Sequence, residues 1–477
     1  MYLSKRFAAL PPRQKLLARF ALYGGLALLF GLLAWGISYL NRPIQKSRDD
    51  LADIGALAET REVKLLQEYI RIDTSPTTGS ELDGALFLAK HLEEAGLEPH
   101  IERLGEGKAN LWAVLEGESK EAIVLHNHID VFSVVEPEEW DFPPFEAVIN
   151  QAWLYGRGVF DMKSIAIAQL EAIADLASQD RRPQKSIVFL ASGSEEVGSD
   201  LGTKWILANQ PALRERLSFV LTEGGVVEAV SHDEIKFWGT EFAQKWFAYG
   251  WACHQSRERL EQLRIDLETI SESNHELRMT PEVREFLVAY AGSRGSEETR
   301  QALEDLQAAV SHPDRFASLP PYLKSLFRDE TATFDIEPDP EGGFRLRIIL
   351  HLLPGSDFEH VKQTLLPSWV TTGVSLVMNP PVGAGFGSPI DHPTFEILVE
   401  ALQEAHPQAT VGPYFLVWSA TDARFFRQAN IPAYGFSPFL IFATDSFRRD
   451  TFNERMDLRG YVEGVDLYKR IVRRLAS

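Results

Sequence analysis

The sequence predicts an α/β fold: a largely parallel sheet with crossover helices, interrupted by an inserted α+β segment and preceded by one apolar N-terminal helix. Three observations predict it. Between residues 61 and 220, short apolar runs alternate with amphipathic stretches of helical spacing, the pattern of βαβ units. From 256 to 310 the texture becomes helical and densely charged, and the βα character returns after about 385. From Phe20 to Leu40, "FALYGGLALLFGLLAWGISYL" carries no charge over 21 residues. At 477 residues the chain exceeds one ordinary core. The expected parts are an anchor (1–50), a first catalytic part (51–237), an inserted lid or dimerisation domain (238–382) and a second catalytic part (383–477).

Taken in order, the apolar segment comes first. At ~1.5 Å per residue it just spans a ~30 Å hydrocarbon layer. Lys5, Arg6, Arg13, Lys15 and Arg19 precede it, and the positive-inside bias puts that end in the cytoplasm. A cleaved signal peptide has a shorter apolar region and a small-residue cleavage site. No such site stands before Asn41-Arg42-Pro43. The expectation is a single-pass membrane protein with residues 51–477 outside, periplasmic in a bacterium. "REVKLLQEYIRID" and "ELDGALFLAKHLEEAGL" then read as helices. "ANLWAVLEG", "AIVLHNHID", "KSIVFLASGS" and "LSFVLTEGG" read as strands that end in polar residues. "GGFRLRIILHLLPGSDFEHVKQTLL" reads as strand, turn and helix within the insert.

Composition excludes several classes. Apolar content of 45% with 11% aromatic is that of a globular chain rather than a disordered one. A net charge of −20 argues against a nucleic-acid surface, which needs a basic face. Cys253 is the single cysteine, so no intrachain disulfide forms.

The polar residues at the strand ends carry the chemistry. His126, His128 and Asp130 alternate along one strand and share a face. Such a row is decorative polarity, an H-x-H-x-D metal row, or the shorter H-x-D metal motif. Asp161 follows "WLYGRGVF" at a helix start, Glu195-Glu196 follow "IVFLASGS", and Glu223 follows "FVLT". Ligand sites in open α/β sheets form beyond the carboxyl ends of the strands, so these groups can converge.

"HID", "WDFPPFEAVINQAWLYGRGVFDMKS", "EEVGS", "TEGG", "SPIDHPTF", "TDARFFR", "YGFSPF" and "NERM" resemble the ordered motifs of the metallopeptidase family that contains aminoacylase-1, glutamate carboxypeptidase and carboxypeptidase S. They run from about 65 to the end. The metallo-β-lactamase row, by contrast, wants a histidine at position 131, which is Val131. The resemblance implies a metallopeptidase catalytic domain with two divalent metal ions, zinc being the expected metal. Asp161 bridges them, His128 and Glu223 complete one site, and Glu196 serves the other. Asp130 hydrogen-bonds the far nitrogen of His128, and Glu195 is the general base. Arg424 receives a free carboxylate on the substrate, a small peptide or an N-acyl amino acid.

Three departures follow. Asp450 stands where the family closes its second site with a histidine, which makes that ligand set all oxygen and relatively better suited to Mn²⁺ or Mg²⁺. In the insert, His254 is the nearest counterpart of the family's lid histidine, which reaches the oxyanion across a dimer. His351 stands where an arginine is usual. These departures define the alternative to an enzyme: a weakened or inactive member that binds carboxylate ligands.

Overall fold

The computed structural model describes residues 54–477, apart from 135, 230, 232–233, 274–275, 293–304, 307, 309, 313–315, 318, 320, 443–444 and 446–447. The expected membrane segment at 20–40 lies outside the described residues. Among the described residues no helix is long and apolar enough to cross a membrane.

Strands are numbered along the chain. β1 (His100–Gly105), β2 (Lys108–Leu115) and β3 (Ser119–His128) are followed by the short β4 (Val148–Asn150) and β5 (Trp153–Tyr155). Next come β6 (Lys185–Ser192), β7 (Leu217–Thr222), β8 (Val226–Ala229), β9 (Ile235–Gln244) and β10 (Trp246–His254). β11 (Glu330–Pro338), β12 (Phe344–Leu352), β13 (Ser375–Met378), β14 (Thr410–Leu416), β15 (Ala433–Gly435) and β16 (Arg455–Asp457) complete the set.

The large sheet runs β1-β2-β6-β3-β7-β15-β9-β14, with β8 paired to β9. Its centre is parallel, as the alternation of elements predicts: β6, β3, β7 and β15 share one direction. The sheet as a whole is mixed, because β1, β2 and β8 pair antiparallel and β15 meets β9 antiparallel. Ile123, Val124, Leu125, Val188, Leu190 and Val220 fill its interior with no exposed surface. Such two-sided burial explains why these strands read as unbroken apolar runs. Register then sets the site. His128 pairs with Ser192 and Leu125 with Leu221, so β3, β6 and β7 end together on one edge.

A second, four-stranded antiparallel sheet, β11-β12-β10-β13, is built within residues 246–378. The helix Arg257–Ser273 packs Leu260, Leu263 and Leu267 onto it. β9 stays in the large sheet to Gln244, and the chain crosses between sheets at Lys245. That lysine has no exposed surface; its Nζ donates to Arg328 O (3.0 Å) and Glu330 Oε1 (2.9 Å). The helix Pro281–Gly292, although it lies in the stretch expected as insert, packs on the large sheet. Phe286 meets Phe237 of β9 and Tyr414 of β14 edge-on, burying an aromatic cluster.

Candidate metal centre and active site

Each strand end delivers its side chain. His128, the last residue of β3, has 1% exposure. Its Nδ1 lies 2.8 Å from the Asp130 carbonyl oxygen, and its Nε2 lies 2.9 Å from Asp161 Oδ1 and 3.6 Å from Glu223 Oε1. A carbonyl only accepts, so Nδ1 carries the proton. Nε2 then faces two carboxylates that only accept, so either a second ring proton or a cation shared with them must stand between. Burial is outweighed by the two carboxylates, which raise the His128 pKa well above its ordinary value and favour the proton until a cation displaces it.

Asp161 does not cap the following helix. The helix is Lys163–Ala177, Met162 holds its N-cap position, and no side chain caps it. The Asp161 carboxylate is therefore available to the centre, while its backbone is held by Glu454. This fully buried carboxylate accepts from Phe160 N–H (2.7 Å) and Asp161 N–H (3.3 Å), and pairs with Arg157 Nη1 (2.7 Å).

Glu195 and Glu196 open a one-turn helix after β6, between Ser194 and Ser199, both with positive φ. What holds that turn corrects the sequence reading of Asp130. Its carboxylate accepts the backbone N–H groups of Glu195 and Glu196, each at 3.0 Å, and stands 3.7 Å from His128 Nδ1. The chain bends after β3, so the Asp130 carbonyl rather than its side chain fixes the His128 tautomer. Ser199 Oγ donates to Asp422, and Ser194 Oγ donates to Glu81 (3.1 Å), fixing both ends of the turn.

Two triads result, His128–Asp161–Glu223 and Asp161–Glu196–Asp450, each with ligand atoms within 4.8 Å of one another and with Asp161 in common. Their electrostatics are those of crowded anions. Burial, then the charge of Asp161, pushes Glu196 and Glu223 well above the carboxylate range. Burial and Asp161 push Asp450 up to about 6. Burial, then Asp422, pushes Glu195 up to about 8, and cations bound beside it pull the other way. For Asp161, burial is outweighed by the His128 hydrogen bond and charge, and its pKa is held low. Glu196 Oε1 and Asp450 Oδ1 are buried without a hydrogen-bond partner. Four carboxylates and one imidazole, with two orphaned oxygens, fit a pair of divalent cations.

Arg424 is nearly buried; Nη1 donates to Thr421 O (3.0 Å) and the guanidinium lies 4.5 Å from the Phe425 ring. His254 belongs to neither ligand cluster. It ends β10, eight residues and ~26 Å of strand from Trp246, and its Nδ1 accepts from Ser256 N–H (2.9 Å). His351 is buried against Phe247, ring centroids 4.4 Å apart, and lies 3.8 Å from Glu330. His126 sits below the centre, its ring nitrogens within 3.1 Å of Thr222, Ser192 and Thr203 hydroxyls. Among the residues given no role in advance are Glu454 and Arg449. The first lies inside a quoted motif, and the second was masked by an ordinary-looking "RRD".

Such a fold and site define a metal-dependent hydrolase of the carboxypeptidase and aminoacylase type. The chain belongs to peptidase family M20/M25/M40, whose family model matches residues 124–474. It is 25% identical over 392 residues to the probable carboxypeptidase S-like 2 of Dictyostelium discoideum, covering 76% of this chain and 73% of that one. It is 27% identical over 442 residues to aminoacylase-1A of Rattus norvegicus, covering 89% and 97%. The M20 family metallo-carboxypeptidase Sso-CP2 from Sulfolobus solfataricus shares the fold, with a TM-score of 0.63 at 18% identity over 87% of this chain and 99% of that one.

Proposed function

We propose that this hydrolase cleaves an amide bond beside a free carboxylate, in small peptides or N-acyl amino acids, and that it is anchored by residues 20–40 with its catalytic body outside the cytoplasm. The observation that carries the chemistry is the pair of buried clusters, His128–Asp161–Glu223 and Asp161–Glu196–Asp450, that share Asp161. His128, Asp161 and Glu223 hold one divalent ion; Asp161, Glu196 and Asp450 hold the second. Zinc suits the first position, and the all-oxygen second position accepts manganese as well. When bound, the ions polarise the scissile carbonyl and acidify the attacking water. Glu195 takes the water's proton on its carboxylate and delivers it to the leaving nitrogen. Asp130 keeps Glu195 in place through the backbone. Arg424 pairs with the substrate carboxylate through the nitrogens that Thr421 leaves free.

A homodimer through the inserted sheet belongs to the same reading, in which His254, at the end of β10 and in neither ligand cluster, serves a neighbouring copy. The anchor rests on the charge-free run from Phe20 to Leu40 and the basic residues before it. Glu195→Gln is the test of the chemistry. Turnover of an N-acyl amino acid is expected to vanish while metal content stays that of the parent, and retained turnover would remove Glu195 from the mechanism.

A further inference from the structure

The second triad has a cation of its own. Two arginines precede Asp450, and they part company. Arg448 turns to Asp445, with Nε at 3.5 Å from Oδ1. Arg449 turns inward: its Nε lies 3.4 Å from Asp450 Oδ2 and 3.8 Å from Asp161 Oδ2. Asp450 has left-handed backbone, φ +58°, and the two neighbouring side chains face one cluster. The guanidinium therefore touches two of the three carboxylates that make up the second ion position.

Which oxygens it touches matters. Asp450 Oδ1 and Glu196 Oε1 remain buried and unpartnered, so the guanidinium neutralises the position without filling it. Arg449 is also not what holds Asp450. The Asp450 carbonyl accepts from Arg157 Nη2 (3.2 Å), and Arg157 is itself locked by Glu454 (2.7 Å). The contact that sets the two positions apart is the one to Asp450, which belongs to the second alone. The charge of Arg449 reaches Glu223 as well as Glu196, but neither pairs with it directly, and Asp161 meets His128 through its other oxygen, Oδ1.

We infer that Arg449 is a resident counter-ion of the second position, competing with the second divalent ion for the Asp161 and Asp450 carboxylates and making that ion the weaker, exchangeable one. This rests on the metal-centre reading above. A fixed positive charge a few ångströms from a divalent ion in a partly desolvated site repels it strongly. It also supplies part of the charge balance when the ion is away, so the carboxylates tolerate its loss. The centre then keeps one ion tightly and takes up the other according to supply.

The test uses the full chain, stripped with a chelator and titrated with Zn²⁺ or Mn²⁺ by calorimetry, with ion content checked by elemental analysis. The parent is expected to bind one ion tightly and a second more weakly. Arg449→Met and Arg449→Gln are expected to tighten the second ion by roughly tenfold or more, the scale of ordinary coupling between sites, with the first ion little changed. Arg449→Lys, which keeps the charge, is expected to stay weak. An unchanged or weakened second ion in both neutral variants overturns the inference while leaving the metal centre standing. Loss of the first ion as well in both marks Arg449 as structural and also overturns it. A parent that binds no ion overturns the metal-centre reading itself.

Discussion

Asp130→Ala separates the role that the family resemblance implies for this carboxylate, orienting His128, from the one the structure gives it, holding the Glu195–Glu196 turn. In the structure the side chain accepts two backbone N–H groups, from Glu195 and Glu196, each at 3.0 Å, and is fully buried. A hydrogen bond to a charged group contributes ~1.5–3 kcal/mol, so the pair gives a gross ~3–6 kcal/mol to the order of this turn. Burial offsets part of that, as the rise of the Asp130 pKa to about 6 records. A net loss of about 1–2 kcal/mol is expected, read by chemical denaturation in the presence of a chelator. If the same disorder displaces Glu195 from the attacking water, kcat falls by about tenfold at about 1.4 kcal/mol per decade. The His128 tautomer survives, because the carbonyl that fixes it is backbone. Affinity for the first ion, measured by competition with a chromophoric chelator, should therefore change little. The reasoning is refuted if Asp130→Ala weakens the first ion by the ~10–100-fold expected for loss of a ligand's supporting partner while kcat at saturating metal stays near the parent value.

Three further outcomes follow from the same geometry. Glu454→Ala removes the acceptor of the Phe160 and Asp161 N–H groups and leaves Arg157 buried without its partner. It should cost ~3–5 kcal/mol and release both ions; a thermal shift of a degree or two with full metal content would contradict this. Gly383 has φ +102°, and a Cβ there would lie 2.7 Å from Arg424 Cγ, so Gly383→Ala should raise KM well above its effect on kcat in steady-state assays. An equal fall in kcat would remove Arg424 from substrate binding. Burial lowers the His126 pKa to about 4, so between that value and the ordinary ~6.5 the unfolded chain binds the extra proton. Its contribution is complete above about pH 6.5 and is lost progressively towards pH 4. Denaturation of the parent and of His126→Gln across that range should therefore diverge; parallel curves would count against a neutral buried His126.

What the sequence made legible is what sits at the ends of regular elements. His128, Glu196 and Glu223 follow apolar runs whose parallel pairing aligns their ends, so periodicity alone was enough to bring them together. Asp161 stood out in the same way, at a helix start after an apolar run, whereas Asp450 came only from the motif order. The role of Asp130 was misread because the bend after β3 exchanges carbonyl for carboxylate at His128, and a one-residue bend leaves no compositional trace. Lys245 and Glu330 are 85 positions apart, and nothing local in either segment announces their contact. The helix Pro281–Gly292 was assigned to the insert by its charge. Its buried aromatic, Phe286, belongs to the large sheet instead, a tertiary choice that helical spacing cannot express. Arg449 was overlooked because an arginine beside an aspartate usually lies on the surface.

The central claim is that these carboxylates and His128 act through divalent ions on an amide beside a free carboxylate. Its most direct test is the hydrolysis of an N-acyl amino acid by the full chain, before and after chelation and again after metal is restored. The account predicts turnover that chelation abolishes and Zn²⁺ or Mn²⁺ returns, with the corresponding N-acyl amino acid amide, which lacks the carboxylate, cleaved poorly. Turnover indifferent to the chelator, or none under any metal, would contradict it.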